Sequence, residues 1–154
     1  MNNKGFTLIE VLAVIIVLAI IAVIAVATIV GLIEHSRERT FATSINGIRE
    51  AIETNAAGED FLRNVDFVYE EGDLFRIDGA DRVQVNMTGT IAGSGRGNID
   101  SHGDIWLAVS DSRRCGIYRG TKQLHICPGI LGQRCVDLLN LDIPAGGSFQ
   151  CPNP

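Results

Sequence analysis

The chain contains no Cys-x-x-Cys pair, no Gly-x-Ser-x-Gly elbow, no glycine-rich stretch ending in Gly-Lys-Ser/Thr and no internal repeat. The first absence removes the knuckle of a structural zinc site, and the second the strained turn that presents a hydrolase serine. The third removes a phosphate-binding loop, although Ala92-Gly93-Ser94-Gly95-Arg96-Gly97-Asn98 is glycine-rich. That stretch is expected to be a flexible loop between strands. Aromatic residues make up only 6% of the chain. Cysteine and proline are missing from the whole N-terminal part: all of both lie within residues 59–154, together with most of the glycine. Charge is missing altogether between Val11 and Ile33.

What fills that uncharged stretch is hydrocarbon. The segment from Phe6 to Ile33 is broken only by Thr7, Glu10, Thr28 and Gly31. About 20 apolar residues in a helix span a bilayer. Leu, Ile, Val and Ala occur on every side of such a helix, so it is built for lipid or for other helices. Lys4 precedes the run, and Arg37 and Arg39 follow it, offset by Glu34 and Glu38. This places the N-terminus in the cytoplasm and the rest of the chain outside. Glu10 is the exception: a carboxylate costs roughly 2.5–3.5 kcal/mol in hydrocarbon on insertion scales. A plain single-pass anchor leaves it unexplained. A secretory signal peptide, suggested by Ala25-Val26-Ala27, would have a shorter apolar region, of about 7–15 residues, and no acid at this place.

Met-Asn-Asn-Lys-Gly-Phe-Thr-Leu-Ile-Glu-Val-Leu at the start of the chain resembles the class III signal of type IV pilins and type II secretion pseudopilins. The resemblance covers roughly the first 30 residues, the length of one membrane-spanning helix and its leader. It implies cleavage after Gly5 by a membrane prepilin peptidase and N-methylation of the new terminus, Phe6. Glu10 then matches the family glutamate, and an assembly charge pair forms between the Phe6 amine and Glu10. The physics agrees, because a buried ammonium and a buried carboxylate each need a counter-ion, and one pair serves both. A single buried polar group of this kind also sets helix register. The family often carries a proline near residue 27, where this chain has Ala27, so Gly31 becomes the softer point of the helix.

Beyond Ile33 the pattern becomes amphipathic. Phe41, Ile45, Ile48 and Ile52 share one helical stripe, and Asn55-Ala56-Ala57-Gly58 reads as a stop. One helix is expected from about Phe6 to Ala57, with the stripe packed on a following sheet. Val65–Tyr69 and Leu74–Ile77 flank Glu70-Glu71-Gly72-Asp73 as a hairpin. Val83–Ile91, Ile105–Val109 and Gly116–Tyr118 read as further strands. The fold class is α+β: a long N-terminal helix, transmembrane and then amphipathic, packed on an antiparallel sheet, with a disulfide-bonded C-terminal region. The expected division is a leader at 1–5, the transmembrane and polymerisation helix at 6–58, and an extracellular β-rich globular domain at 59–154.

Cys115, Cys127, Cys135 and Cys151 all follow the membrane segment, so two disulfides are expected. Three pairings are open. Short loop length favours Cys115–Cys127 and Cys135–Cys151, stapling a glycine- and proline-rich tail with little regular pattern. A zinc site using His125 lacks the knuckle spacing, and His35 and His102 are isolated. Asp100-Ser101-His102-Gly103-Asp104 reads as a turn, since contiguous residues cannot assemble a triad. Calcium at Asp100 and Asp104, or at Asp78 and Asp81, does not follow EF-hand spacing. No metal, cofactor or catalytic residue is assigned.

Charge is uneven. Glu59, Asp60, Asp66, Glu70, Glu71, Asp73 and Asp78 cluster against Arg63 and Arg76, while Arg113, Arg114, Arg119, Lys122 and Arg134 run without an acid between them. Three readings compete: two solvated faces, patches that meet between subunits, and a DNA-binding face. For the last, Tyr118 is the only aromatic within the basic run, which makes a thin stacking platform.

The reading reached is a structural filament subunit and not an enzyme. Its alternatives are a secretion or competence pseudopilin, and a tethered extracellular binding domain. The implied partners are copies of itself or other pilins, the prepilin peptidase, an inner-membrane assembly platform and the membrane. The implied location is the inner membrane before assembly, and an extracellular or periplasmic filament after it.

Overall fold

The structure, a computed structural model, describes residues 7–57, 64–120, 123–141 and 149–153. It comprises two compact units, Met1–Arg39 and Thr40–Pro154. The element common to both is helix α1 (Leu8–Ala57). Within the first unit its apolar side chains are exposed from Leu8 to Ile33, with nothing of the same unit covering them.

The second unit holds the last part of α1, from Thr40 to Ala57, and a seven-stranded antiparallel sheet. The strands are β1 (Val65–Glu70), β2 (Asp73–Asp78), β3 (Asp81–Val85), β4 (Ser94–Ile99), β5 (Ile105–Ser110), β6 (Arg114–Arg119) and β7 (His125–Pro128), in the order β3-β2-β1-β4-β5-β6-β7. A short helix α2 (Gln133–Asp137) and a single 3-10 turn (Leu138–Asn140) follow.

The expected stripe is the inner layer of the core. Phe41, Ile45, Ile48 and Ile52 are all buried, against Phe67, Tyr69, Leu74, Leu107, Val109 and Tyr118 of the sheet. The hairpin also forms as expected: Glu70 pairs with Asp73, and the turn residues Glu71 (φ 52°) and Gly72 (φ 103°) both take positive φ. That backbone matches the right-handed twist of the flanking strands.

Two expectations are corrected. The strand expected over Val83–Ile91 is shorter and begins earlier, at Asp81, ending at Val85. Beyond it the chain crosses to β4, held by Tyr69: its hydroxyl accepts from the Ile91 N–H at 2.7 Å and donates to the Ile91 carbonyl at 2.7 Å. The expected glycine-rich loop is instead β4, a strand with neighbours on both sides. Glycine is needed there because α1 and β5 lie so close. A Cβ on Gly97 would stand 3.1 Å from both Ile52 Cδ1 and Leu107 Cδ1, and one on Gly95 would overlap the Ala108 carbonyl oxygen. Gly116 in β6 has the same role, since its Cβ would run into Ile45. From the helix side, a Cβ on Gly47 would overlap the Thr88 carbonyl oxygen.

The opposite face of the sheet is divided. Over β5, β6 and β7 it is apolar: Ala108, Cys115, Ile117 and Cys127 pack under Ile130, Cys135 and Leu138. Over β1 to β4 it is polar, with Asn98 donating to Asp66 at 2.8 Å and Arg82 to Glu70 at 2.9 Å.

Gly47→Ala tests the close seat of the helix. In an open helix the change would add about 1 kcal/mol of propensity. Here it should destabilise the detergent-solubilised chain by roughly 1–3 kcal/mol, the cost of overpacking. Gly31→Ala, where a Cβ meets nothing within 4 Å, should not. Denaturant unfolding followed by circular dichroism compares the two. The tyrosines offer a second test. Burial pushes the Tyr69 and Tyr118 phenols above 10.0, and Arg49 beside Tyr118 pulls back the latter in part. The fold therefore favours the neutral phenols. Their contribution to stability is complete below pH 10.0 and declines as pH rises above it. These are the chain's 2 tyrosines. Tyrosinate absorbance of the folded protein should thus begin to rise only above the ordinary phenol range, and shift down on unfolding.

Candidate assembly helix and disulfide-bonded outer layer

Gly5 and Phe6, which carry the expected cleavage, methylation and one half of the charge pair, lie outside the described residues. Glu10 does not. It is exposed in the first turn of α1, where a carboxylate interacts favourably with the helix dipole. The Thr7 carbonyl accepts from the Glu10 N–H at 3.1 Å and the Val11 N–H at 3.3 Å. Thr7-Leu8-Ile9-Glu10 has the Ser/Thr-x-x-Glu spacing of a capping box, but the bonds that close this first turn are the two backbone ones.

From Val11 to Ile33 the helix carries no charge and leaves its large aliphatic side chains exposed. It is the one helix among the described residues that is long and apolar enough to cross a membrane. Thr28 is absorbed locally, its hydroxyl donating to the Ala25 carbonyl at 2.9 Å. Such a surface can do one chemical thing, which is to transfer into hydrocarbon or against similar helices. Full burial yields on the order of 1.5–3 kcal/mol per Val, Leu or Ile side chain.

All four cysteines are bonded, but not in the favoured pairing. The bridges are Cys115–Cys135 and Cys127–Cys151, with Cα separations of 5.6 and 5.3 Å. The reason for the correction is strand β7, which loop length alone did not reveal. It places Cys127 opposite Cys115 in the ladder, so a bridge between them would join what backbone hydrogen bonds already join. The bonds formed instead tie down α2 and the 149–153 segment, which have no ladder of their own. Arg119 adds a further tie. It donates to the Leu139 carbonyl at 3.2 Å and to the Leu141 carbonyl, and its guanidinium lies between the rings of Trp106 and Phe149.

The basic run does not form one face. Arg114 is buried, paired with Asp111 and placed over the Phe41 ring. Arg119 is occupied as described, and Arg113 and Arg134 are exposed. Lys122, Glu59, Asp60 and Arg63 lie outside the described residues. On the acidic side, Asp66, Glu70 and Asp73 accept from Asn98, Arg82 and Gln84.

Asp100–Asp104 is a turn. Asp100 Oδ1 accepts from the backbone N–H groups of His102 at 2.8 Å and Asp104 at 2.9 Å. The Asp104 N–H is the main cause that holds the Asp100 carboxyl below its ordinary range. Asp78 and Asp81 flank the β2–β3 turn, and His125 packs edge-on against Phe149 with 5.0 Å between ring centroids. Among the described residues, no three His, Cys, Asp or Glu side chains are grouped so that they could hold a metal ion.

Residues 1–33 match the family model described as the prokaryotic N-terminal methylation motif. The chain thus carries the class III prepilin leader of type IV pilins and pseudopilins. No curated protein and no solved structure matches it.

The disulfide pairing has a direct check. Trypsin without reduction should leave the Cys115–Arg119, Gln123–Arg134 and Cys135–Pro154 peptides joined in one assembly. The pairing that loop length favours would instead release Cys135–Pro154 alone. A further cut at Asp142 should leave Cys135 with Cys115, and Cys151 with Cys127. Losing either bridge by paired Cys→Ser substitution should cost roughly 2–5 kcal/mol of stability.

Proposed function

We propose that this chain is a structural subunit of a type IV pilus or pilus-like filament. It is cleaved after Gly5, N-methylated at Phe6 and held in the inner membrane by the apolar part of α1, with its N-terminus in the cytoplasm. It assembles when that helix leaves lipid for the helices of neighbouring subunits. The globular unit then coats the outside, in the extracellular space or periplasm. The observation that supports this most is the match of residues 1–33 to the methylation motif, joined to an exposed aliphatic helix that begins at Glu10.

In this reading Glu10 pairs with the Phe6 amine of a subunit once the leader is gone. The processing and methylation are performed by other proteins on this one, and the chain supplies no catalysis of its own. A bare membrane anchor would need neither the motif nor the acid.

Glu10→Gln tests the pair, because glutamine keeps the size and polarity of the side chain but carries no charge. Filaments sheared from cells of the natural chain should yield a protein whose mass and N-terminal sequence begin at methylated Phe6. The Glu10→Gln chain should be processed and remain in the membrane, yet give at least about tenfold less filament, the equivalent of about 1.4 kcal/mol of assembly energy. Wild-type filament yield from Glu10→Gln would remove the charge pair. A protein that begins at Met1 and never leaves the membrane would remove the filament reading altogether.

A further inference from the structure

We propose that the two bridges form a thiol-exchange relay, entered at Cys151, through which a dithiol in solution opens the buried Cys115–Cys135 bridge that it cannot reach directly. The inference rests on the outer layer alone and does not depend on filament assembly.

Two observations carry it. The first is the contrast in access. Cys115, Cys127 and Cys135 are fully buried, whereas Cys151 is exposed, with its Sγ 3.5 Å from the Ile126 carbonyl oxygen at the outer edge of β7. The second is the register. Cys115 and Cys127 are ladder partners, so their side chains stand on the same face of the sheet. The Gly129 N–H donates to the Arg113 carbonyl at 2.9 Å, and the Asp111 N–H to the Arg114 carbonyl at 3.0 Å. With that alternation Cys115 and Cys127 are a hydrogen-bonded pair, whose Cα atoms stand about 5.5 Å apart. This separation is inside the range a disulfide spans. A third bond, Cys115–Cys127, is therefore within reach of the same backbone.

The steps balance. One thiolate of the dithiol attacks Cys151 Sγ, the Cys127–Cys151 bond breaks, and Cys127 leaves as a thiolate. The second thiol of the reagent resolves the mixed disulfide and frees Cys151, so the reagent is oxidised by two electrons to its own disulfide. The Cys127 thiolate then attacks Cys115 Sγ. The Cys115–Cys135 bond breaks, and Cys135 leaves as a thiolate that takes a proton from solvent. This second step is an exchange with no net redox change. Its product holds Cys115–Cys127, with Cys135 and Cys151 free. A Cys–Cys bond across a hydrogen-bonded pair holds its Cβ atoms wider than a relaxed bridge, so Cys135 attacks back readily. The consequence is local: α2 and the 149–153 segment lose both covalent ties, while the packing of α1 on the sheet involves neither bridge.

The test treats the detergent-solubilised full chain with dithiothreitol, quenches with iodoacetamide and maps the peptides after trypsin and a cut at Asp142. In the natural chain, a Cys115–Cys127 pair with alkylated Cys135 and Cys151 should appear before Cys115 is alkylated. Cys127→Ser unties Cys151 equally but supplies no thiolate at position 127. In that variant Cys115–Cys135 should open at least about tenfold more slowly, since the thiol that remains, Cys151, is not the ladder partner of Cys115. Cys151→Ser leaves Cys127 free from the start, and should show a fraction of Cys115–Cys127 with no dithiol added, trapped as iodoacetamide alkylates the Cys135 thiol that the exchange releases. The relay is wrong if Cys127→Ser loses its bridge at the natural rate, which would mean that simple loosening exposes it. It is also wrong if Cys151→Ser holds only Cys115–Cys135. Should Cys127→Ser not fold by circular dichroism, the exposed-site variant Cys151→Ser decides alone.

Discussion

The second unit depends on how closely one helix lies on one sheet. Ile45, Ile48 and Ile52 are fully buried because β4 and β6 offer them Gly97 and Gly116 in place of side chains. The helix returns the accommodation at Gly47, where the crossover backbone at Thr88 fits against it. Dispersion falls steeply with distance, so even a radial gap of about 0.5–1 Å forfeits a quarter to a half of each contact. Glycine is costly in both helix and strand by roughly 0.5–1 kcal/mol. Here the cost is offset by what the approach permits. Polar groups also meet at the seam: Tyr118 donates to Asn46 of the helix, and Arg49 lies over the Tyr118 ring while pairing with Glu53.

The opposite face of the sheet solves a different problem. Its covering, α2 and the 149–153 segment, is too short to bury much surface. Covalent and cationic ties take the place of a core: two disulfides, and an arginine held between Trp106 and Phe149. The edge strand β7 ends in Pro128, which has no N–H to offer a further strand, and Cys151 stands beside its Ile126 carbonyl. An edge managed in this way discourages pairing with another sheet.

The long-period features of the structure were legible in the sequence. A stripe at Phe41, Ile45, Ile48 and Ile52 and a turn at Glu71-Gly72 each rest on chemistry within a few residues, and both are present. The failures share a cause, which is dependence on partners distant along the chain. Ala92–Asn98 has the local composition of a loop, yet it is a strand because α1 and β5 exclude side chains from its inner face. Arg114 and Arg119 look like part of a basic patch until Phe41, Asp111, Trp106 and Phe149 are placed around them. The disulfides follow strand β7, four residues of weak pattern that no periodicity marks. For the apolar part of α1, the methylation motif over residues 1–33 was legible in full.

The absence of proline gives α1 its own character. A proline at position 27 would remove the hydrogen bond to the carbonyl four residues back and kink the helix there. With Ala27 in its place the helix is assigned without a break from Leu8 to Ala57. Thr28 bonds back to Ala25 without ending it. Such back-bonding bends helices slightly and lowers their stability a little. Gly31 contributes a further weakness of about 1 kcal/mol relative to alanine. These are soft points and not breaks, and both lie at the C-terminal end of the uncharged stretch, shortly before the charged segment that begins at Glu34. Unwinding there would expose backbone groups that need water or a polar neighbour, since an unpaired one in hydrocarbon costs several kcal/mol. In hydrocarbon a helix of this composition would keep its backbone groups paired, and would give way only where its environment becomes polar.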